Sequence, residues 1–528
     1  MLKRLDQARQ AVIWGLWLVL LASIPITSFP LVAGLLGKNP VSPLALIPLV
    51  LLALLWFLPY MKQRGLLPVT SGPLLFFLLV CIVSAVLALG LPIYPFKGAT
   101  IFSREVRGLL TIGIGIGFYW TAACLPASNR QMTLSLRALY LGAALTLLWS
   151  TIQIGLTLDN VKAVPWRLNA IHRLFSIRDL LTDRVTGLAY EPSWLGDQLV
   201  LLYIPFWLAS LRERVSVFPW PRRWPLIEAA LLCWSSGVLL LSQSRISQLG
   251  FLAMIGALVA AWSWRLAGRL SARIAPSRSD TQPVRSPLRL GLWLASVVTV
   301  VGLVTAGAWA LGNYDWRIRR VFTFPGHLEE IRQLHPGEVG YAIADRLAFA
   351  ERVVYWAVGY RVFEHYPLFG VGPGNTGFFF EDHLPPYGLR LEEIQQVLTA
   401  REFGFPNTKN LWIRLLAETG LIGFSAFLAW VACFVAAAMS LVRNPKRLPK
   451  MLGLAGLLAA IALVGEGFSL DSFALPQLWI AFGLVTAGFM HREIIDDEVT
   501  GSFRDATRSK IPGGGRKMQE DQPNGSLP

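Results

Sequence analysis

Apolar residues in this chain arrive in blocks about as long as a bilayer is thick, separated by short links, many of them rich in arginine. LIEAALLCWSSGVLLL and FLAMIGALVAAW, for example, lie almost end to end. In hydrocarbon every backbone polar group must be satisfied within the segment, so such blocks fold as helices. Composition agrees: 54% of the 528 residues are hydrophobic, 15% are charged and the mean hydropathy is +0.51. The expectation is an all-α, polytopic transmembrane protein with about twelve spans and one large, partly helical loop.

Windows of bilayer length place those spans at 11–29, 42–60, 73–92, 109–125, 134–157, 194–211, 226–241, 246–264, 287–311, 411–441, 451–468 and 474–490. The chain then divides into a first membrane part (1–312), a loop domain (313–410), the last spans (411–491) and a polar, Gly/Pro-punctuated tail (492–528) that reads as disordered. The apolar run from Ala11 continues past Ile24 with no small-residue cleavage site, so it reads as a first span. Alternate links carry RERVSVFPWPRR, RLAGRLSARIAPSRSD and RNPKRLPK, which places them and both termini in the cytoplasm and the 313–410 loop outside. The net charge of +16 then belongs to topology and anionic lipid, and no nucleic-acid module accompanies it. Each of the four cysteines sits in an apolar run without CxxC or Cys/His spacing, so neither a disulfide framework nor structural zinc is expected.

Against this background four features stand out. Arg245 in SQSRISQLG is a permanent cation at the turn between two spans, where the alternatives are function and snorkelling to headgroups. VKAVPWRLNAIHRLFSIRDLLTDR gathers Lys162, Arg167, Arg173, Arg178 and Arg184 on the outer side, against the positive-inside trend. Such a surface suits either an anionic lipid-linked phosphate or an interfacial helix among lipid headgroups. In HYPLFGVGPGNTGFFF, Gly370, Gly372 and Gly374 with Asn375 specify tight turns whose amides face an anion or serve structure alone. NTKNLWIRLLAETGLIGF then re-enters the membrane behind Lys409 and Asn410.

Taken in order, LLLSQSRISQLG, ERVVYW, PLFGVGPGNTGF and NLWIRLLAETGLIGF resemble the O-antigen ligase and polymerase superfamily over roughly 184–424. The resemblance implies a metal-independent glycosyltransferase, without cofactor, that moves a glycan from an undecaprenyl-diphosphate carrier at the outer face of the bacterial inner membrane. It implies that Arg245 and Arg352, the latter just before Trp356, lie near the diphosphate. RVTGLAYEPSWLGDQL, through Arg184, Glu191, Pro192 and Ser193, resembles a segment of exopolysaccharide and capsule polymerases.

The residues are consistent with that chemistry. Cleaving a sugar–diphosphate bond needs charge stabilisation on the leaving group, and arginine's fixed charge and forked donors suit it, with Arg184 as third candidate. A base must also take the acceptor's proton. Ligases of the superfamily resemble one another in a His-Asn pair where this chain has Lys409-Asn410, and lysine serves better as a diphosphate contact. Glu191 becomes the leading base candidate, with His365 and His383 behind it. The favoured expectation is a polymerase of lipid-linked repeat units, with a chain-length regulator and a flippase as further candidate partners; a ligase acting on lipid A core, a transporter and an inactive scaffold remain the alternatives.

Overall fold

The computed structural model describes residues 2–492 apart from 64, 159–163, 219–224, 275–286, 313–315, 328, 330–331, 334–335, 348 and 401–403. The described residues form helices and no strand. Every expected span is helical: α1 (Leu2–Ser23), α2 (Leu46–Lys62), α3 (Ser71–Ala88), α4 (Ile101–Cys124), α5 (Asn129–Leu158), then, after a short helix α6 (Trp166–His172), α7 (Pro192–Glu213), α8 (Leu226–Ser242), α9 (Arg245–Ile274) and α10 (Pro287–Leu311). The loop carries α11 (Trp316–Thr323), α12 (Pro336–Arg346), α13 (Ala350–His365) and α14 (Glu392–Thr399). Three spans follow, α15 (Leu411–Val442), α16 (Arg447–Glu466) and α17 (Pro476–Met490). Among the described residues eight helices are long and apolar enough to cross a membrane, and α2, α8 and α17 are shorter apolar helices. This is a multi-pass, all-α membrane protein.

Span α7 is the hub. In its most apolar 18 residues 89% of positions are buried, the highest share among the long spans, so protein rather than lipid surrounds it. A π-helical turn at Leu199–Tyr203 interrupts it between α16 and α17. Small residues let helices approach closely: a Cβ at Gly483 of α17 would stand 2.5 Å from Ala122 of α4, and one at Gly115 of α4 2.3 Å from Trp479. Aromatics fill the space beside them, with Phe434 stacked on Phe482 at 3.6 Å and Trp430 on Trp479 at 5.2 Å between ring centroids.

Two expectations about boundaries need correction. α4 begins at Ile101 rather than near Leu109, because Thr100 and Ser103 form a reciprocal capping box that starts the helix while its sequence is still polar. Arg104 and Glu105 are therefore helical. The segment AIADRLAFAERVVYWAVGYRVFEH, whose apolar residues recur at helical spacing throughout, is split between two helices, α12 ending at Arg346 and α13 starting at Ala350. LEEIRQL, a loop segment with the same helical spacing of apolar residues, lies largely outside the described residues, as do the tail beyond Arg492 and Lys162 of the basic segment.

The glycine turn has a structural task. α15 kinks at Gly420 (φ 63°, ψ −169°), which breaks its own ladder. The amides of Leu421 and Ile422 bond the carbonyls of Pro367 and Leu368, while Val371 and Gly372 donate to the abandoned carbonyls of Ala417 and Glu418. Backbone groups thus exchange partners across the kink, and none of these four is left bare in the membrane. Gly370, Gly372 and Gly374 all have positive φ (68°, 91° and 86°), and a Cβ on Gly370 would lie 2.5 Å from the Ala417 oxygen. Asn375 is buried and donates to Glu105 Oε1 (3.1 Å) and to the Val371 carbonyl (2.9 Å). Gly370→Ala is expected to cost about 2–4 kcal/mol, combining a left-handed φ with a backbone clash. The check is thermal unfolding in detergent against Gly256→Ala, whose Cβ would meet nothing within 4 Å; equal melting of the two variants would refute this role for the turn.

Candidate active site

The hairpin that presents Arg245 turns through two residues, Gln243 and Ser244. α8 ends on Gln243 in the left-handed region (φ 51°), its amide donating back to Leu240, and α9 starts two residues later at Arg245 itself. The preceding segment straps the turn: Arg184 donates to the carbonyls of Ser242 (3.0 Å) and Gln243 (3.3 Å), and the Gln243 amide side chain returns a bond to Asp183. The Arg245 guanidinium carbon stands 4.0 Å from the centre of the Phe349 ring and the side chain donates to the Leu347 carbonyl at 2.9 Å, so the α12–α13 break receives it. Arg352, in the first turn of α13, donates to the Lys409 carbonyl at 3.0 Å. Carbonyl partners such as these fix a guanidinium's direction without neutralising its charge.

Lys409 is the second non-glycine residue of the site with positive φ (48°). Its ammonium is 4.3 Å over the Tyr355 ring and is paired with Glu393 of α14, whose Oε1 also accepts from the Tyr355 hydroxyl at 2.9 Å. Burial works against charge on Glu393, but Lys409 beside it prevails and holds the carboxyl below its usual range. Burial, reinforced by Glu393, pushes the Tyr355 hydroxyl up, so it stays a donor. Asn410 is buried and caps α15, accepting from the Ile413 amide at 3.1 Å.

Glu191 is the N-cap of α7 with Pro192 behind it, as the Glu-Pro-Ser order suggests. It accepts from Arg178 and from Ser193, both at 3.3 Å. Arg178 arrives on the arm after α6, which is pinned to α5 by a bond from Trp149 Nε1 to His172 Nδ1 (3.2 Å). Burial lowers the His172 pKa to about 4, so the ring stays neutral and accepts that bond.

These side chains converge on a cavity of about 470 Å³ at the loop-bearing end of the bundle. Five cations line it, Arg178, Arg184, Arg245, Arg352 and Lys409, against three carboxylates, Glu191, Glu351 and Glu393. It runs into a second space of about 770 Å³ that shares Arg178, Glu191, Glu351, Tyr355, Glu393 and Lys409 and extends to Glu392, Gln396, Phe405 and Asn407. There carboxylates outnumber cations by four to two. One cleft thus has a cationic half beneath the hairpin and an acidic half beneath α14, the polarity needed to hold a diphosphate at one end and uncharged hydroxyls at the other.

Residues 230–428 match the O-antigen ligase family. The match takes in the hairpin, α10, the whole loop and the start of α15, the elements that build most of the cleft, and it supports the O-antigen ligase/polymerase-like superfamily. No curated protein matches the chain. Within the O-antigen ligase-type segment lie Arg245, Arg352 and Lys409, while Arg178, Arg184 and Glu191 come from the region before it. Of the residues singled out in the sequence, the structure brings these six together, with Pro192 and Ser193 beside Glu191. Gly370, Gly372, Gly374, Asn375 and Asn410 do not line the cleft; nor do His365 and His383, which face each other with ring centroids 4.9 Å apart and each donate from Nδ1 to a backbone carbonyl, of Arg361 and Phe379 respectively. Glu351, Tyr355 and Glu393 are cleft residues that the sequence reading passed over, since each reads there as an ordinary helical position.

Proposed function

We propose that the protein is a membrane glycosyltransferase that polymerises undecaprenyl-diphosphate-linked repeat units, with the loop-bearing end at the outer face of the bacterial inner membrane and both termini in the cytoplasm. The observation that carries the reading is the cationic half of the cleft, where Arg245 and Arg352 are oriented by carbonyls under a family match of the ligase type. A donor diphosphate bound there keeps its sugar directed to the acidic half. The acceptor hydroxyl attacks the anomeric carbon, the carbon–oxygen bond to the diphosphate breaks, and its electron pair leaves on the phosphate oxygen. Guanidiniums stabilise that developing charge. The acceptor's proton goes to Glu191, the carboxylate at the junction of the two halves.

Polymerisation rather than ligation is favoured by Lys409 where ligases of the superfamily resemble one another in a histidine. Paired with Glu393, its ammonium ties α14 to the segment that leads into α15 and is committed to that ion pair. Purified protein given only carrier-linked repeat units is expected to build a ladder of carrier-linked products. No ladder from repeat units, with transfer appearing on addition of lipid A core, would refute polymerisation in favour of the ligase reading.

A further inference from the structure

Beneath the cavity lie two carboxyls that the transfer chemistry does not use. Asp197, six residues past Glu191 on α7, and Glu466, the last residue of α16, are both fully buried. They meet side chain to side chain, with Ser247 of α9 beside Glu466. The Ser247 hydroxyl faces Glu466, while neither oxygen of Asp197 accepts a hydrogen bond from a described N–H or hydroxyl. The charged groups acting on Asp197 are Glu466, Asp471 from the link to α17, and Arg352 from α13.

Two carboxylates in contact in a dry site cannot both stay charged, and bare buried oxygens are costly. A proton held between them supplies the donor that the protein omits. The pair is also wired to the cavity. Ser244 lines the cavity wall, its hydroxyl is 2.8 Å from that of Ser247, and Ser247 reaches Glu466. α7 and the start of α9 touch here without any gap, since a Cβ on Gly196 would sit 2.3 Å from Ser247 Oγ. Ser469, whose amide bonds the Glu466 carbonyl at 2.8 Å, lines the same wall.

Arg352 belongs to both places: it lines the cavity and its field reaches Asp197. A doubly charged diphosphate entering the cavity adds negative charge near the pair and draws on the same guanidinium. Both effects favour a further proton on the pair. Given the diphosphate reading of the cavity, on which this rests, we propose that Asp197 and Glu466 form a proton-binding site coupled to the cavity through Arg352 and the Ser244–Ser247 hydroxyls, so that diphosphate entry draws a proton onto the pair and departure of the carrier diphosphate returns it. By linkage, diphosphate binding then tightens as pH falls and weakens as pH rises through the range in which the pair exchanges its proton, by at most about tenfold per pH unit.

The test uses the full chain in detergent and a short-prenyl diphosphate diester of a sugar, a probe whose two charges do not titrate near neutrality. Calorimetry in buffers of different ionisation enthalpy is expected to show fractional proton uptake on binding, lost in Asp197→Asn and in Glu466→Gln while the probe still binds. Binding without buffer-dependent heat, uptake that survives in both variants, or dependence on sodium in place of pH would overturn the coupling. Failure of the probe to bind the wild type would instead overturn the diphosphate reading. Infrared spectroscopy of the unliganded protein tests the pair without any ligand: the wild type should show a protonated-carboxyl band that either substitution removes, and its absence would overturn the proton site itself.

Discussion

Arg245→Lys and Arg352→Lys are each expected to lower glycan transfer by about a hundredfold or more while leaving the amount of folded protein near that of the wild type. The size follows from losing one preorganised donor set aimed at charge that develops as the sugar–phosphate bond breaks, which typically costs two to three powers of ten. Lysine keeps the charge but not the planar fork. Each arginine already gives one arm to a carbonyl, Arg245 to Leu347 and Arg352 to Lys409, so a lysine reaching the same carbonyl would spend its single head group there. The structural loss is small by comparison. Arg245 forfeits stacking on Phe349, worth about 0.5–1 kcal/mol where partly exposed. The measurement is transfer from a carrier-linked donor, with unfolding temperature recorded on the same preparations. Full activity in both variants would remove the arginines from the reaction, and loss of folded protein in step with activity would make them structural.

The apolar blocks were sufficient to find the helices of the membrane part, eight of them long and apolar enough to cross a bilayer, because a hydrophobic stretch of that length has few alternatives to a helix. Hydropathy failed at α4, where the first two turns, IFSREVRG, are polar; the Thr100–Ser103 cap was the available signal. The hairpin arginine, Arg352 and Glu191 were legible because a charge beside an apolar run, or a Glu-Pro-Ser helix start, is local information. What the glycines of 370–374 face was not legible. Turn chemistry predicts exposed amides, and only the partner, a broken ladder in α15 some fifty residues later, decides whether an anion or a backbone takes them. The same holds for Asp197. In sequence it is one carboxylate near a helix start, and its partner Glu466 lies at the end of another span; the contact exists only because α7 runs through the middle of the bundle. Lys409 reads as a bare cation until α14 brings Glu393 across the cleft.

Glu191→Gln is expected to slow chain extension by about a hundred- to ten-thousandfold, the usual reach of a general base, with donor binding retained. The substitution isolates proton transfer: glutamine has the same shape, can still accept from Arg178 and Ser193, and leaves Pro192 to start α7. It cannot take the acceptor's proton. If the Arg178–Glu191 pair were only a strut for the arm, the exposed geometry of that ion pair would make its loss worth little, and turnover would persist. Comparison with Arg178→Gln separates the cases, because that variant breaks the pair while leaving the carboxylate. Retained activity in Arg178→Gln beside a dead Glu191→Gln assigns the base. The opposite pattern gives the pair's role to the arginine, moves the acceptor's proton to Glu351 or Glu393 in the acidic half, and takes with it the weight that the YEPSW segment lends to polymerisation over ligation.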